Sequence, residues 1–431
     1  MLATGGSAVS GVSGCAGVLE SSAEEPGHEA WVHKWNRTLF EAIRNLPQAP
    51  VAVARQAACL NVAIFDTVNA IAAIRGKDHF EPYLADHEVP PADTSLSAAL
   101  GTAAHWVLVD LFPVFSNTFD DRLAETLEHA REFDGDIEAG ERFGRTVADR
   151  LIVHRAGDGH ADPEDPRYQG CEEPEETPGC WRGPALDGIW SPSHYAFVDP
   201  WVVDAPDGME FGSPPALESD NYAQAWHEVY KYDHGEGLAE EDEAVARYWF
   251  GGGGSTRPPG RWVRITTIAS EKEGLSLLDT ARLLARVSLG LADAGVCVWK
   301  SKHTHGFWRP TPAIHDGDAD GNPETFADPD WRAIKIGGGP EYPSGLATFG
   351  SAASTILSET LGDDVDFQMT SVGPPEQTRS YSSFSEAYEE SWESRIRLGV
   401  HFRFSLEDSI PVGEAIAEEV LSEQLGPEAA H

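Results

Sequence analysis

The chain has 431 residues, 41% of them hydrophobic and 13 of them Trp, so it can bury a sizeable core and is not of disordered composition. Asp and Glu number 71 against 31 Lys and Arg, a formal net charge of -40, which is the wrong sign for a nucleic-acid partner. Acid spread along the whole chain reads as a solubility device for a high-salt medium, where repulsion is screened and apolar association strengthens.

Residues 1–28 are rich in Gly, Ser, Ala and Glu and are expected to form a flexible tether. Within them, Val12-Ser13-Gly14-Cys15 resembles the end of a truncated signal with a lipobox, in which Cys15 would carry a lipid anchor. No charged stretch or twin arginine precedes it. An exported or cell-surface protein is the expectation, with a cytoplasmic one as the alternative. No run of about 20 apolar residues stands out, so no membrane span is expected. The five cysteines, Cys15, Cys59, Cys171, Cys180 and Cys297, lack metal-ligand spacing. Cys59 and Cys297 sit in apolar helical patterns and read as core thiols. Cys171 and Cys180 flank a loop rich in Pro and Glu, and are either a disulfide of an exported protein or two unpaired thiols.

From Trp31 to about Ala156 the pattern is helical. Ala57, Leu60, Ile64, Val68 and Ile71 recur at three- and four-residue steps and mark one buried face. Further helices are expected over roughly 95–112 and 136–155. Residues 157–220 are rich in Gly, Pro and Asp, with Trp181, Trp190 and Trp201 among them, and read as a long ordered loop or lid. Helical signals return at 221–233 and 239–250, followed by a Gly run and an expected turn at Arg257-Pro258-Pro259-Gly260. The clearest helix is 276–302, where Leu277, Leu284, Leu289, Val296 and Trp299 lie on one stripe. No alternating β pattern, internal repeat or domain boundary is visible after residue 29. The expected fold class is all-α, a single helical domain over residues 29–425.

In so acidic a chain, basic residues gathered in a short region call for an anion. Lys302-His303-Thr304-His305-Gly306-Phe307-Trp308-Arg309-Pro310 places two cations seven residues apart. Tyr342-Pro343-Ser344-Gly345-Leu346 precedes an Ala-rich apolar stretch, as at a helix start, whose free N–H groups and positive dipole end suit an anion. Ser394-Arg395 is followed six residues after the arginine by His401, with Gly399 between. Each segment alone has an ordinary structural explanation; their joint occurrence, in this order, points to a tetrahedral oxyanion.

Together they resemble the signature of the vanadium-dependent haloperoxidases and the type 2 phosphatidic acid phosphatase superfamily: Lys, six residues, Arg-Pro; then Pro-Ser-Gly-His; then Ser-Arg, five residues, His. Phe65-Asp66-Thr67-Val68-Asn69-Ala70, Phe80-Glu81-Pro82-Tyr83 and Gly188-Ile189-Trp190-Ser191-Pro192 extend the likeness to bacterial haloperoxidase-type chains. The resemblance implies two packed helical bundles. It implies that Lys302, Arg309, Arg395, Ser344 and the Gly345 N–H hold vanadate, with phosphate as the alternative occupant. It also implies that His401 is the catalytic imidazole and axial vanadium ligand, and that peroxide and halide are the substrates. One departure stands out. The family's Pro-Ser-Gly-His ends here in Leu346, which cannot move a proton, and His303 or His305 is the candidate auxiliary group. Two alternatives to the haloperoxidase follow: an acid phosphatase using His401 as nucleophile, and a catalytically weak oxyanion-binding protein. Asp316-Gly317-Asp318-Ala319-Asp320-Gly321-Asn322 begins like a calcium loop, but its twelfth position is Ala327, so an acidic loop is expected.

Overall fold

Helices start where a short polar side chain meets an apolar run. Ser95, Asp136, Ser219, Ser276, Ser344 and Ser383 each accept a bond from a backbone N–H three residues on, which satisfies one donor that the first turn leaves without an intrahelical partner. They cap, in turn, α3 (Leu96–Leu111), α5 (Ile137–Arg155), α6 (Asp220–Tyr230), α9 (Leu277–His305), α11 (Gly345–Leu361) and α12 (Phe384–Arg397). The other helices are α1 (Glu29–Arg44), α2 (Pro50–Ile74), α4 (Ser116–Phe133), α7 (Glu240–Trp249), α8 (Arg257–Glu273), α10 (Pro310–His315), α13 (Arg403–Glu407) and α14 (Ser409–Glu423). This computed structural model describes residues 29–85, 89–161, 177–182, 192–204, 209, 211–372 and 376–427. The lipobox-like segment, Cys171 and Trp190 lie outside them.

Helix α9 is the shared axis. On one side it packs on α2, which in turn packs on α3 and α5; on the other it packs on α8, α11 and α14. One apolar cluster runs through both sets, from Trp31 to Leu425. Buried polar groups on α9 fix its neighbours. The Asp293 carboxylate accepts from the N–H groups of Trp201, Val202 and Val203, so part of the 157–220 loop is bolted to the helix. Arg286 donates to the carbonyls of Leu421, Gln424 and Leu425 at the end of α14.

Two expectations need correcting, and a third point needs adding. Arg257-Pro258-Pro259-Gly260 is not a turn but the first turn of α8, where proline's missing N–H costs nothing. A hairpin is present: β1 (Phe367–Thr370) pairs antiparallel with β2 (Thr378–Tyr381), Phe367 opposite Tyr381. Its strands are four residues each, too short for a period-2 signal to rise above background. Finally, α2 is long and apolar enough to cross a membrane by length and composition, and 83% of its most apolar window is buried inside the protein. Cys59 and Cys297 are free and buried. Cys180 is disulfide-bonded, and its partner lies outside the described residues.

Candidate functional site

Lys302 sits in the last turn of α9, which Gly306 ends in a left-handed conformation (φ 51°) with its N–H on the Lys302 carbonyl. Pro310 then keeps Arg309 extended (φ -83°, ψ 161°). The Arg309 guanidinium is enclosed by the 337–341 segment: Nε donates to the Gly339 carbonyl at 2.8 Å and Nη2 to that of Pro340 at 3.0 Å. A Cβ at residue 337 would come within 2.5 Å of Arg309 Cζ, so glycine is what permits this approach. The Lys302 ammonium donates to the carbonyls of Pro340 and Glu341 at 2.6 and 3.0 Å. Gly399, at φ 73°, turns the chain between Arg395 at the end of α12 and His401.

These residues meet in one cavity of about 530 Å³, lined by Lys302, Arg309, Arg395, His401, Gly345 and Leu346 among others, and by no Asp or Glu among the described residues. Ser344 does not line it. Its Oγ caps α11, and its N–H donates to Ser409 Oγ at 3.1 Å. The first N–H groups of α11, at Gly345 and Leu346, have no intrahelical acceptor by the geometry of a helix start.

His401 is held in one tautomer. Arg309 Nη1 lies 3.1 Å from His401 Nε2, and a guanidinium can only donate, so Nε2 accepts. The ring proton is therefore on Nδ1, 2.8 Å from Glu341 Oε1. Burial, then Arg309, Lys302 and Arg395, hold His401 far below the usual imidazole range, so it presents a neutral nitrogen. Glu341 is fully buried. Its Oε1 also accepts from the Phe402 N–H at 2.9 Å and from Ser405 Oγ, while Oε2 has no partner among the described residues. Burial pushes this carboxyl up to about 7 against the pull of Arg309 and Lys302. Lys302 is pushed well down, by burial first and then by Arg309.

Arg395 is the least satisfied of the cations. It is 5% exposed. Nη1 makes one long contact, 3.5 Å to the Trp249 carbonyl, and Nε and Nη2 have no partner among the described residues. Burial, then Arg261 and Arg309, push it down to about 9. Lys302, Arg309 and Arg395 thus converge on a cavity whose described lining holds no carboxylate, and planar arginine forks suit the oxygens of an oxyanion.

The auxiliary histidines go elsewhere. His303, one position and about 100° round the helix from Lys302, stacks edge-on against Phe197 at 5.0 Å. His305 packs edge-on against Tyr342 at 5.3 Å. Neither lines the cavity that Leu346 lines. The 316–322 loop folds on itself: Asp318 accepts from Ala327 N, and Asp320 from Asn322 N and Thr325 Oγ1. Among the described residues no group of three or more His, Cys, Asp or Glu side chains is poised to hold a metal ion. Glu341 and Arg257 were missed by the sequence reading. A requirement that His401 be oriented by some acceptor was the only signal for Glu341, and Arg257 was hidden by the turn signal around it.

Residues 282–425 match the family model of the VCPO second helical-bundle domain. The vanadium chloroperoxidase of Curvularia inaequalis is 31% identical over 174 residues, covering 29% of this chain and 28% of that enzyme, so the match spans little more than a quarter of the fungal protein. The crystal structure of the first bacterial vanadium-dependent iodoperoxidase superposes with a TM-score of 0.80 at 22% identity, over 93% of this chain and 98% of that one. The holo-type bacterial vanadium-dependent chloroperoxidase gives 0.65 at 17% identity, over 88% and 92% of the two chains. The helical-bundle fold of the vanadium-dependent haloperoxidase structures is thus matched along nearly the whole length of this chain, and residues 282–425 are similar in sequence to the second helical bundle of that family.

Proposed function

We propose that the chain is a vanadate-dependent haloperoxidase-type oxidoreductase, taking peroxide and a halide as substrates. The observation that carries this reading is Arg395: a buried guanidinium with two unpartnered nitrogens, facing a cavity with Lys302 and Arg309 and no carboxylate. The donor set fits a tetrahedral oxyanion. Lys302, Arg309, Arg395 and the Gly345 N–H would hold its oxygens, and the His401 Nε2 lone pair would exchange its bond from Arg309 Nη1 for the anion's central atom. Bound vanadate supplies Lewis acidity toward peroxide without a change in metal oxidation state.

The chain's own groups bind and orient. The three cations compensate the anion's charge. Glu341, through Nδ1–H, keeps the His401 lone pair on Nε2. Leu346 excludes water beside the first turn of α11 and neither donates nor accepts a proton, and loss of general acid–base help slows a reaction by about 10²–10⁴-fold. Slow turnover is therefore part of the proposal. Leu346 also favours a second reading, an oxyanion binder with little catalysis, in which phosphate is an equal occupant. An exported location belongs to the first reading and is supported by the disulfide at Cys180.

The test uses purified protein reconstituted with vanadate in molar salt. Vanadate affinity is measured by calorimetry, then iodide and bromide oxidation with peroxide, then cleavage of a phosphomonoester. Halide oxidation that requires vanadate supports the oxidoreductase. Tight vanadate binding with neither activity supports the binder, and ester cleavage alone supports a phosphatase using His401. Failure to bind vanadate or phosphate overturns all three.

A further inference from the structure

We propose that Arg257 anchors the carboxylate of an apolar organic acid in the same cavity, apart from the oxyanion cluster. Arg257 opens α8, is 5% exposed, and lines the cavity. Its Nη2 has no partner among the described residues, and no acidic residue among those described lines the cavity to neutralise it. A buried guanidinium nitrogen left unpaired is costly, so the position calls for an anionic ligand.

The backbone makes the same point. Arg257 holds φ at 59°, a conformation few residues other than glycine adopt, and its N–H is fixed on Ser255 Oγ at 3.1 Å. Strain of this kind costs on the order of 1–3 kcal/mol and tends to gather at ligand sites.

Arg257 stands apart from the other cations electrostatically. Its charge is disfavoured by burial alone, whereas Arg395 is also perturbed by Arg261 and Arg309, and His401 by all three cluster cations. A fourth oxyanion ligand would have to share that mutual repulsion. Apart from Lys335, whose ammonium lies over the Phe250 ring, and stretches of glycine backbone, the rest of the wall is apolar and aromatic, with Phe250, Trp299, Leu346 and Phe349. A cavity of about 530 Å³ lies within the roughly 300–1,000 Å³ of small-molecule pockets, more than one oxyanion fills. A single planar fork pairs with one carboxylate in bidentate fashion. An aryl or alkyl carboxylate beside the oxyanion satisfies charge, shape and polarity together. This rests on the oxyanion reading only for what occupies the neighbouring cluster.

The experiment is calorimetry with 3-phenylpropanoate on the full chain saturated with inorganic phosphate, and with 3-phenylpropan-1-ol as the neutral partner. The acid should bind at least tenfold more tightly than the alcohol. Arg257→Met should weaken the acid at least tenfold and leave the alcohol unchanged, and Arg257→Lys should fall between. Equal affinity of the acid for native and Met forms overturns the proposal, as does no binding of the acid. Displacement of the acid by phosphate overturns it too, because the acid would then be occupying the oxyanion cluster. Should the Met variant fail to fold, the Lys variant and the acid-to-alcohol ratio in the native protein decide. If the native protein binds the acid through Arg257 but binds neither phosphate nor vanadate, the oxyanion reading fails and this one stands.

Discussion

The Arg395→Met substitution removes a charge from the cavity wall while keeping much of the side chain's length. Without ligand, Arg395 has one long contact to the Trp249 carbonyl and two nitrogens with no partner among the described residues. An unsatisfied buried group costs about 1–3 kcal/mol, and cavity water offsets part of that, so the variant should gain about 1–3 kcal/mol in the absence of oxyanion. At about 2.1 cal/mol/K per residue, a chain of this length moves only about 1 °C per kcal/mol, so urea unfolding is the better readout than Tm. With ligand the sign reverses. Truncating one partner of a buried charged contact costs about 2–5 kcal/mol, roughly a 30- to 4,000-fold loss in affinity at 1.4 kcal/mol per decade. Phosphate at a hundred times its native Kd should stabilise the native protein by about 2.7 kcal/mol and the variant by about 0.9 kcal/mol or less at that concentration. A variant that is less stable than native without oxyanion, and that binds phosphate within twofold of native, would refute the assignment of Arg395 to the anion.

Leu346→His places a titratable ring at the first turn of α11 and should raise vanadate-dependent halide oxidation about ten- to a thousandfold; a variant that folds and binds vanadate but gains nothing would show that proton handling lies elsewhere. Glu341→Gln mimics the protonated acid. The Glu341 carboxyl is raised to about 7 from its ordinary value by burial, so its contribution to stability is fully present below about 4.5 and lost as pH rises through about 7. Native stability measured by urea unfolding should therefore fall relative to the Gln variant across that window, and a flat difference would mean that Glu341 stays ionised throughout. For the whole chain, a net charge of -40 predicts that Tm climbs between 0.1 and 3 M KCl as the Debye length shrinks to about 3 Å at 1 M; a flat or falling Tm contradicts the high-salt reading.

What could be read in advance was local. The stripe from Leu277 to Trp299 marks a helix because its period persists for many turns, and the structure gives Leu277–His305. Lys302, Arg309, Arg395 and His401 are named by short spacings, and they do line one cavity. What escaped was set by distance or by context. Glu341 reaches His401 across 60 positions, a separation that carries no spacing signal. Arg257 sits among Gly and Pro residues that read as a turn, although proline is tolerated in a helix's first turn. His303 and His305, the auxiliary candidates, do not line the cavity, because proximity in sequence to Lys302 does not set the direction of a side chain on a helix.

Helix α2 has a further consequence for how the protein is made. Its apolar faces are shared among α3, α5 and α9, and by composition it passes for a membrane-crossing segment. Its neighbours α3 and α5 follow soon after it, but α9 begins only at Leu277, whereas α2 ends at Ile74. At about 5–20 residues per second of synthesis, the face meant for α9 waits roughly 10–40 s for its partner. During that interval the nascent chain displays a long greasy helix on the ribosome, open to holdase chaperones and to the machinery that sorts membrane segments. The rate of translation through the intervening 200 or so residues thus becomes a variable in the yield of folded protein.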